Sequence, residues 1–211
     1  EALNEISCPL LNFQPQEGYG AVHISHGPKE MVAARVTQIK LLCKRPPFVT
    51  CDLECGPGGV VKGFTTFPDL MALGSTDSEE LAYEVGRVTA LEGRSVGLNW
   101  SFAPCVDIAT NPDSPVVSTR SAGCTPERVI ATARGYLRGL QDHGFMATLK
   151  HFPGDGYSTY DQHLTTVVNP LSMSEWREGP GRVYRELIEA GAKTVMVGHI
   201  SLPAYDDVDS Q

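Results

Sequence analysis

The sequence predicts an α/β fold in which the strands of a parallel sheet alternate with covering helices. Three observations carry that prediction. Five apolar runs of strand length, over 20–25, 48–52, 98–103, 146–152 and 194–199, are rich in Val, Phe, Leu and Met. They show little polar alternation, as strands covered on both faces do. The segments between them place apolar residues three or four apart. Finally, Gly97, Gly144 and Gly191 each stand just past a helical pattern and before a strand, where a left-handed C-cap is wanted.

The helices follow in order. Residues 28–44 carry Val32, Val36, Ile39 and Cys43 on one face. Thr76-Asp77-Ser78-Glu79 is a capping-box signature that opens a helix through Leu81, Val85, Val88 and Leu91. Thr125-Pro126-Glu127 puts a proline at the first helical position, and Val129, Ala133, Tyr136, Leu137 and Leu140 follow. Ser172 or Ser174 caps a fourth helix through Val183, Leu187 and Ala190.

Composition narrows the function classes. A chain of 211 residues is enough for one domain with a sizeable core. No apolar run approaches the length of a membrane span, and the start, Glu1-Ala2-Leu3-Asn4-Glu5, has neither the basic nor the apolar part of a signal peptide. A net charge of −8 with no Lys/Arg cluster argues against a nucleic-acid partner. Cys8, Cys43, Cys51, Cys55, Cys105 and Cys124 are scattered, several of them in apolar runs, which favours reduced thiols and a cytoplasmic setting. Cys51 and Cys55 have no second Cys/His pair at finger-like spacing, so no metal ligand set and no cofactor is read. Gly56-Pro57-Gly58-Gly59 leads into Val60-Val61-Lys62-Gly63 rather than a helix, and reads as a flexible loop, not a phosphate cradle.

Reactive side chains gather after the strands: Asp52-Leu53-Glu54, Asp107, Lys150-His151 and His199. That is where βα folds place their chemistry. The richest stretch runs from Lys150-His151-Phe152-Pro153-Gly154-Asp155-Gly156 to Asp161-Gln162-His163. Lys150 and His151 are adjacent and on an ideal strand face opposite ways, so one site can use both only if the backbone bends, and Pro153-Gly154 supplies the means. Asp161 and His163 share a side if the loop is locally extended, which sets a carboxylate on one imidazole nitrogen and raises its basicity.

This stretch resembles the signature of glycoside hydrolase family 3, in its β-N-acetylglucosaminidase branch. Phe64-Thr65-Thr66-Phe67-Pro68 with Met71-Ala72-Leu73-Gly74, the run 97–108 (Gly-Leu-Asn-Trp-Ser-Phe-Ala-Pro-Cys-Val-Asp-Ile), Thr119-Arg120-Ser121, and Val195-Met196-Val197-Gly198-His199 are similar to further family motifs in the same order. The resemblance covers about 20–207. It implies a (β/α)8 TIM-type barrel that binds a terminal sugar through Asp52, Arg120, Lys150 and His151, with Met196 and His199 as pocket walls. Lys62 lies where the family often has a sugar-contacting Arg, although the loop before it departs from the usual Glu-Gly-Gly. His163, assisted by Asp161, is implied as the acid/base that protonates the leaving oxygen and then deprotonates water.

A retaining glycosidase also needs a carboxylate nucleophile about 5 Å from that group. The family's motif for it, a Ser/Thr-Asp-Asp/Ala-Leu run, does not follow His199; Asp206, Asp207 and Asp209 come too soon. With about five βα units, residues 1–211 are expected to form an incomplete barrel domain, completed by the rest of a longer chain or by another subunit. The expected activity is removal of terminal β-linked N-acetylglucosamine, with the chain alone inactive. Three alternatives stay open: a degenerate sugar-binding relative, a β-glucosidase or phosphorylase variant of the same family, and an unrelated βα binding module.

Overall fold

The computed structural model describes residues 5–6, 20–43 and 45–206. Cys8, Lys44, Asp207 and Asp209 lie outside the described residues. In chain order the elements are β1 (Glu5–Ile6), β2 (Ala21–Ile24), β3 (Gly27–Pro28), α1 (Lys29–Leu42), β4 (Phe48–Cys51), β5 (Val61–Lys62), α2 (Leu70–Ser75), α3 (Glu79–Ser95) and β6 (Trp100–Ser101). They continue with α4 (Pro126–Gln141), β7 (Thr148–Phe152), β8 (Val167–Val168), α5 (Met173–Glu178), α6 (Pro180–Glu189), β9 (Thr194–Val197) and β10 (Ile200–Ser201).

β1, β2, β4 and β6 pair in that order, all parallel, and β7 pairs parallel with β9. Bridges from Trp100 to Met146 and from Cys105 to Lys150 join the two groups. The result is an arc of six parallel strands, one more than the five predicted; the added strand is Glu5–Ile6. Two short parallel pairs, β3 with β5 and β8 with β10, lie in the connections.

The predicted strand over 98–103 is regular only at Trp100–Ser101. Pro104 has no N–H to give the ladder, so on either side of it pairing to β7 survives as single bonds, Thr148 N–H to Ala103 O at 2.8 Å and Val106 N–H to Lys150 O at 2.7 Å. Gly97, Gly144 and Gly191 have φ of 87°, 69° and 100°, the left-handed conformation predicted for them.

The helices cover the outer face of the arc. Val32, Val36 and Ile39 of α1, Ala90 of α3, and Tyr136, Leu137 and Leu140 of α4 are buried with Ile24, Val49 and Ala147 of the strands or their flanks. A second cluster sets Val129, Ile130 and Ala133 of α4 and Val183, Tyr184 and Leu187 of α6 against Leu149. α3 and α4 meet backbone to backbone: a Cβ added at Gly139 would lie 2.1 Å from Tyr83 O, so only glycine permits this approach.

The caps sharpen the sequence reading. Thr125 caps α4, its hydroxyl accepting from Arg128 N–H, and Ser172 caps α5 in a full capping box with Glu175. α3 is capped by Ser78 rather than Thr76, because Thr76 already closes α2 and its hydroxyl donates to Leu73 O at 2.6 Å. The predicted fourth helix is two helices. It breaks at Gly179–Pro180, where the proline lacks the N–H a continuous helix would need.

Candidate active site

The C-terminal ends of β4 and β7 bring opposite charges together. Lys150, on β7 and 2% exposed, sets its Nζ 2.7 Å from Asp52 Oδ1 and 2.6 Å from Glu54 Oε1. Arg120 comes from the 3-10 turn Ser118–Arg120 and grips Glu54 with two bonds, Nη2 to Oε1 at 2.7 Å and Nε to Oε2 at 2.9 Å. Its Nη1 donates to Val116 O at 2.9 Å, which fixes the plane of the guanidinium. Asp52 Oδ2 lies 3.6 Å from His23 Nε2 at the end of β2.

Burial pushes the Glu54 carboxyl up, but the Arg120 hydrogen bond, with the Lys150 and Arg120 charges, outweighs it and brings the carboxyl down to about 2. Burial likewise opposes the Lys150 charge, and Glu54 and Asp52 more than restore it, so its pKa is raised. The Glu54 side chain is 15% exposed and that of Asp52 43%. The cluster therefore has a closed floor of Lys150, Glu54 and Arg120 under an accessible carboxylate, Asp52.

His151 stands beside this cluster rather than in it. The Lys150–His151 peptide is cis. The His151 Nδ1 lies 2.8 Å from Asp107 Oδ2, and its backbone N–H donates to the same carboxylate. Asp107 also accepts from Asp155 N–H at 2.6 Å and from Cys105 Sγ at 3.2 Å. Cys105, Asp107 and His151 are the residues among those described whose donor atoms converge closely enough to hold a metal ion; here they hydrogen-bond to one another.

Further along the same loop, His163 Nδ1 lies 2.6 Å from Asp161 Oδ1, and His163 N–H donates to that oxygen at 2.8 Å. These bonds, backbone first, hold the Asp161 carboxyl below its usual range. The ring is solvent-facing, with the His163 side chain 67% exposed. The loop's short Asp-x-His spacing thus makes the pair the sequence predicts.

The remaining predicted residues lie apart from the charge cluster. Lys62 is exposed on β5, whose partner is β3, and forms no ion pair with Asp52 or Glu54. Met196 is half-buried on β9, and His199 is exposed, tied in by its backbone N–H to Gln162 Oε1 at 3.0 Å. Sequence reasoning gave no role to Glu54, Asp107, Asp155 or Gln162. Glu54 was visible after its strand beside Asp52, but its pairing with Lys150 and Arg120 was not. The other three are joined by contacts that no local pattern displays.

Residues 20–211 match the model of the glycosyl hydrolase family 3 N terminal domain. A β-N-acetylglucosaminidase/β-glucosidase from Cellulomonas fimi is 42% identical over 173 residues, covering 82% of this chain and 31% of that protein. Among solved structures, the β-glucoside phosphorylase BglX aligns with a TM-score of 0.89 at 37% identity, over 96% of this chain and 36% of its own. A family 3 β-N-acetylglucosaminidase from a Paenibacillus species aligns at 0.82 and 32%, over 88% and 37%. The chain spans about a third to about half of the length of the curated relatives it matches. The arc of parallel strands is thus of the TIM-barrel type. The chain belongs to glycosyl hydrolase family 3, through its N-terminal domain.

Proposed function

We propose that residues 1–211 form part of one barrel domain and carry the sugar-holding wall and proton-transfer dyad of a glycoside hydrolase. Its proposed reaction removes terminal β-linked N-acetylglucosamine from oligosaccharides or peptidoglycan fragments by a retaining mechanism. The observation that carries the reading is the Asp161–His163 pair: a solvent-facing imidazole with Nδ1 held by a carboxylate, nine to eleven residues beyond the end of β7, the strand bearing Lys150 and His151.

Asp52 is open enough to accept from two sugar hydroxyls, while Lys150 and Arg120 neutralise it and Glu54 beneath. His151, with Nδ1 engaged by Asp107, offers Nε2 to the sugar. Lys62, Met196 and His199 keep their proposed places around the sugar, supported by the resemblance alone. With Asp161 on Nδ1, His163 Nε2 gives its proton to the leaving oxygen and then takes one from the attacking acceptor. The nucleophilic carboxylate is proposed to lie outside the described residues, in sequence beyond them or on another subunit. Two facts support that reading. β9 pairs with β7 alone among the described residues, and the outward Val197 is 72% exposed in an apolar groove of about 740 Å³ lined by Phe152, Trp176 and Tyr205. A cytoplasmic setting is supported by the five described cysteines, which are free, with the Cys51 thiol pushed up to about 12 by burial and by Asp52.

The likeness to BglX supports a second reading, in which phosphate rather than water accepts the sugar. An imidazole acid/base suits that reading, since its deprotonated form repels no anion. The test is hydrolysis of a chromogenic N-acetyl-β-glucosaminide by the complete protein, with and without phosphate, and mass analysis of the products. Free N-acetylglucosamine supports hydrolysis; a sugar 1-phosphate formed only with phosphate supports the second reading. Robust turnover by the 211-residue chain alone would overturn the placement of the nucleophile.

A further inference from the structure

Gln162 sits between the two members of the dyad and behaves unlike either. Asp161 is partly open and His163 exposed, whereas Gln162 is 4% exposed. Its Nε2 donates to Asp155 Oδ2 at 2.8 Å, and its Oε1 accepts from His199 N–H at 3.0 Å. Space for that amide depends on Gly198, where a Cβ would lie 2.6 Å from Gln162 Oε1.

The partners belong to separate parts of the fold. Asp155 follows β7, and its N–H is held by the Asp107 carboxylate that also holds His151. His199 stands between β9 and β10. Among the described residues, the other hydrogen bonds of 159–166 are all local: Tyr160 N–H to Ser158 Oγ, Leu164 and Thr165 N–H to Asp161 O, and the His163 N–H and Nδ1 contacts to Asp161 Oδ1. The long-range bonds of this exposed segment are those of the Gln162 side chain.

We propose that Gln162 is the positioning residue of the acid/base dyad, tying the backbone between Asp161 and His163 to the ends of β7 and β9 so that the imidazole is presented to the sugar site in one orientation. A buried side chain fixed by two bonds restricts the backbone on either side of it, and proton transfer depends steeply on such placement. This inference rests on the reading of His163 as the acid/base. Asp155 adds a chemical handle. Its carboxyl is pushed up to about 6 by burial and by Asp107, against the pull of His151, the Gln162 hydrogen bond and Arg120, and its Oδ1 is buried without a hydrogen-bond partner.

The test compares Gln162→Met, His163→Ala, the double variant and Gln162→Glu in the complete protein, on N-acetylglucosaminides with a poor and an activated leaving group. Gln162→Met is expected to lower kcat by about tenfold or more on the poor leaving group and by less than about threefold on the activated one, with KM little changed. The double variant should be no slower than His163→Ala alone, because a positioning group has nothing left to position. Gln162→Glu keeps the acceptor for His199 N–H and loses the donor to Asp155. Its activity relative to the parent should recover as pH falls from about 7 to about 5, when a protonated Asp155 can donate instead. Equal losses of Gln162→Met on both substrates, or losses that multiply with those of His163→Ala, would mean a purely structural role and overturn this inference alone. If His163→Ala itself shows no leaving-group dependence, the acid/base reading falls and this inference with it.

Discussion

Glu54 is the carboxylate on which the charge cluster turns, and replacing it by glutamine isolates that claim. In the folded chain it meets Lys150 Nζ at 2.6 Å and Arg120 through two bonds, with its side chain only 15% exposed. Its pKa falls from 4.5 to about 2. At 1.36 kcal/mol per unit, ionised Glu54 contributes about 3 kcal/mol to stability near neutral pH. The sign follows from proton counts: between these two values the unfolded chain binds more protons than the folded one, so stability is present above about pH 4.5 and is lost as pH falls toward about 2. Glu54→Gln removes the contribution and leaves the buried Lys150 with Asp52 as its sole carboxylate, a change in the range of about 3–5 kcal/mol measured when one partner of a buried pair is removed. For a chain of this size, about 3 kcal/mol lowers Tm by roughly 6–12 °C. Thermal melts followed by circular dichroism, for both proteins from pH 7 to about pH 3, check this. The difference should be largest at neutral pH, and about two of the about three kcal/mol should be gone by pH 3. A variant that melts within about 2 °C of the parent at pH 7 would refute the reasoning. So would a gap that does not narrow on acidification.

Three further outcomes follow from the same geometry. Asp155→Asn removes a buried charge whose pKa is raised to about 6, so it should stabilise the chain at pH 7 by up to about 3 kcal/mol, with the gain vanishing below about pH 4, as urea titrations at both pH values would show. Gly139→Ala drives a methyl to 2.1 Å from Tyr83 O and should cost about 3 kcal/mol or more by forcing α3 and α4 apart, read as a lowered urea midpoint at unchanged slope. Asp52→Ala should weaken binding of N-acetylglucosamine by about tenfold or more in calorimetric titration of the complete protein while leaving the fold intact, since the Asp52 side chain is 43% exposed.

The long elements were legible because helix burial is periodic and strand burial is continuous. Val32, Val36 and Ile39 on α1 declare a helix within a few turns, and the run over 146–152 declares a strand buried along its length. The short ones were not. α2 is six residues, and the pairs Gly27–Pro28 with Val61–Lys62 are held by partners more than thirty residues away, so neither offers a period to read. The same distinction divides the site. Asp161 and His163 are two residues apart, and their hydrogen bond could be drawn from spacing. Lys150 meets Asp52 across 98 positions and His151 meets Asp107 across 44, so their identities were visible on strand ends but their pairing was not. Glu54 stood among the reactive side chains after the strands without a role, yet it binds both cations of the cluster.

The central claim is that His163 moves the proton in glycosidic bond cleavage, and one comparison tests it most directly. His163→Ala in the complete protein is assayed on a poor-leaving-group N-acetylglucosaminide and on an activated nitrophenyl one. The account expects turnover of the first to fall by about a hundredfold or more and of the second far less, because an activated leaving group departs without a proton. Equal losses on the two substrates would contradict it.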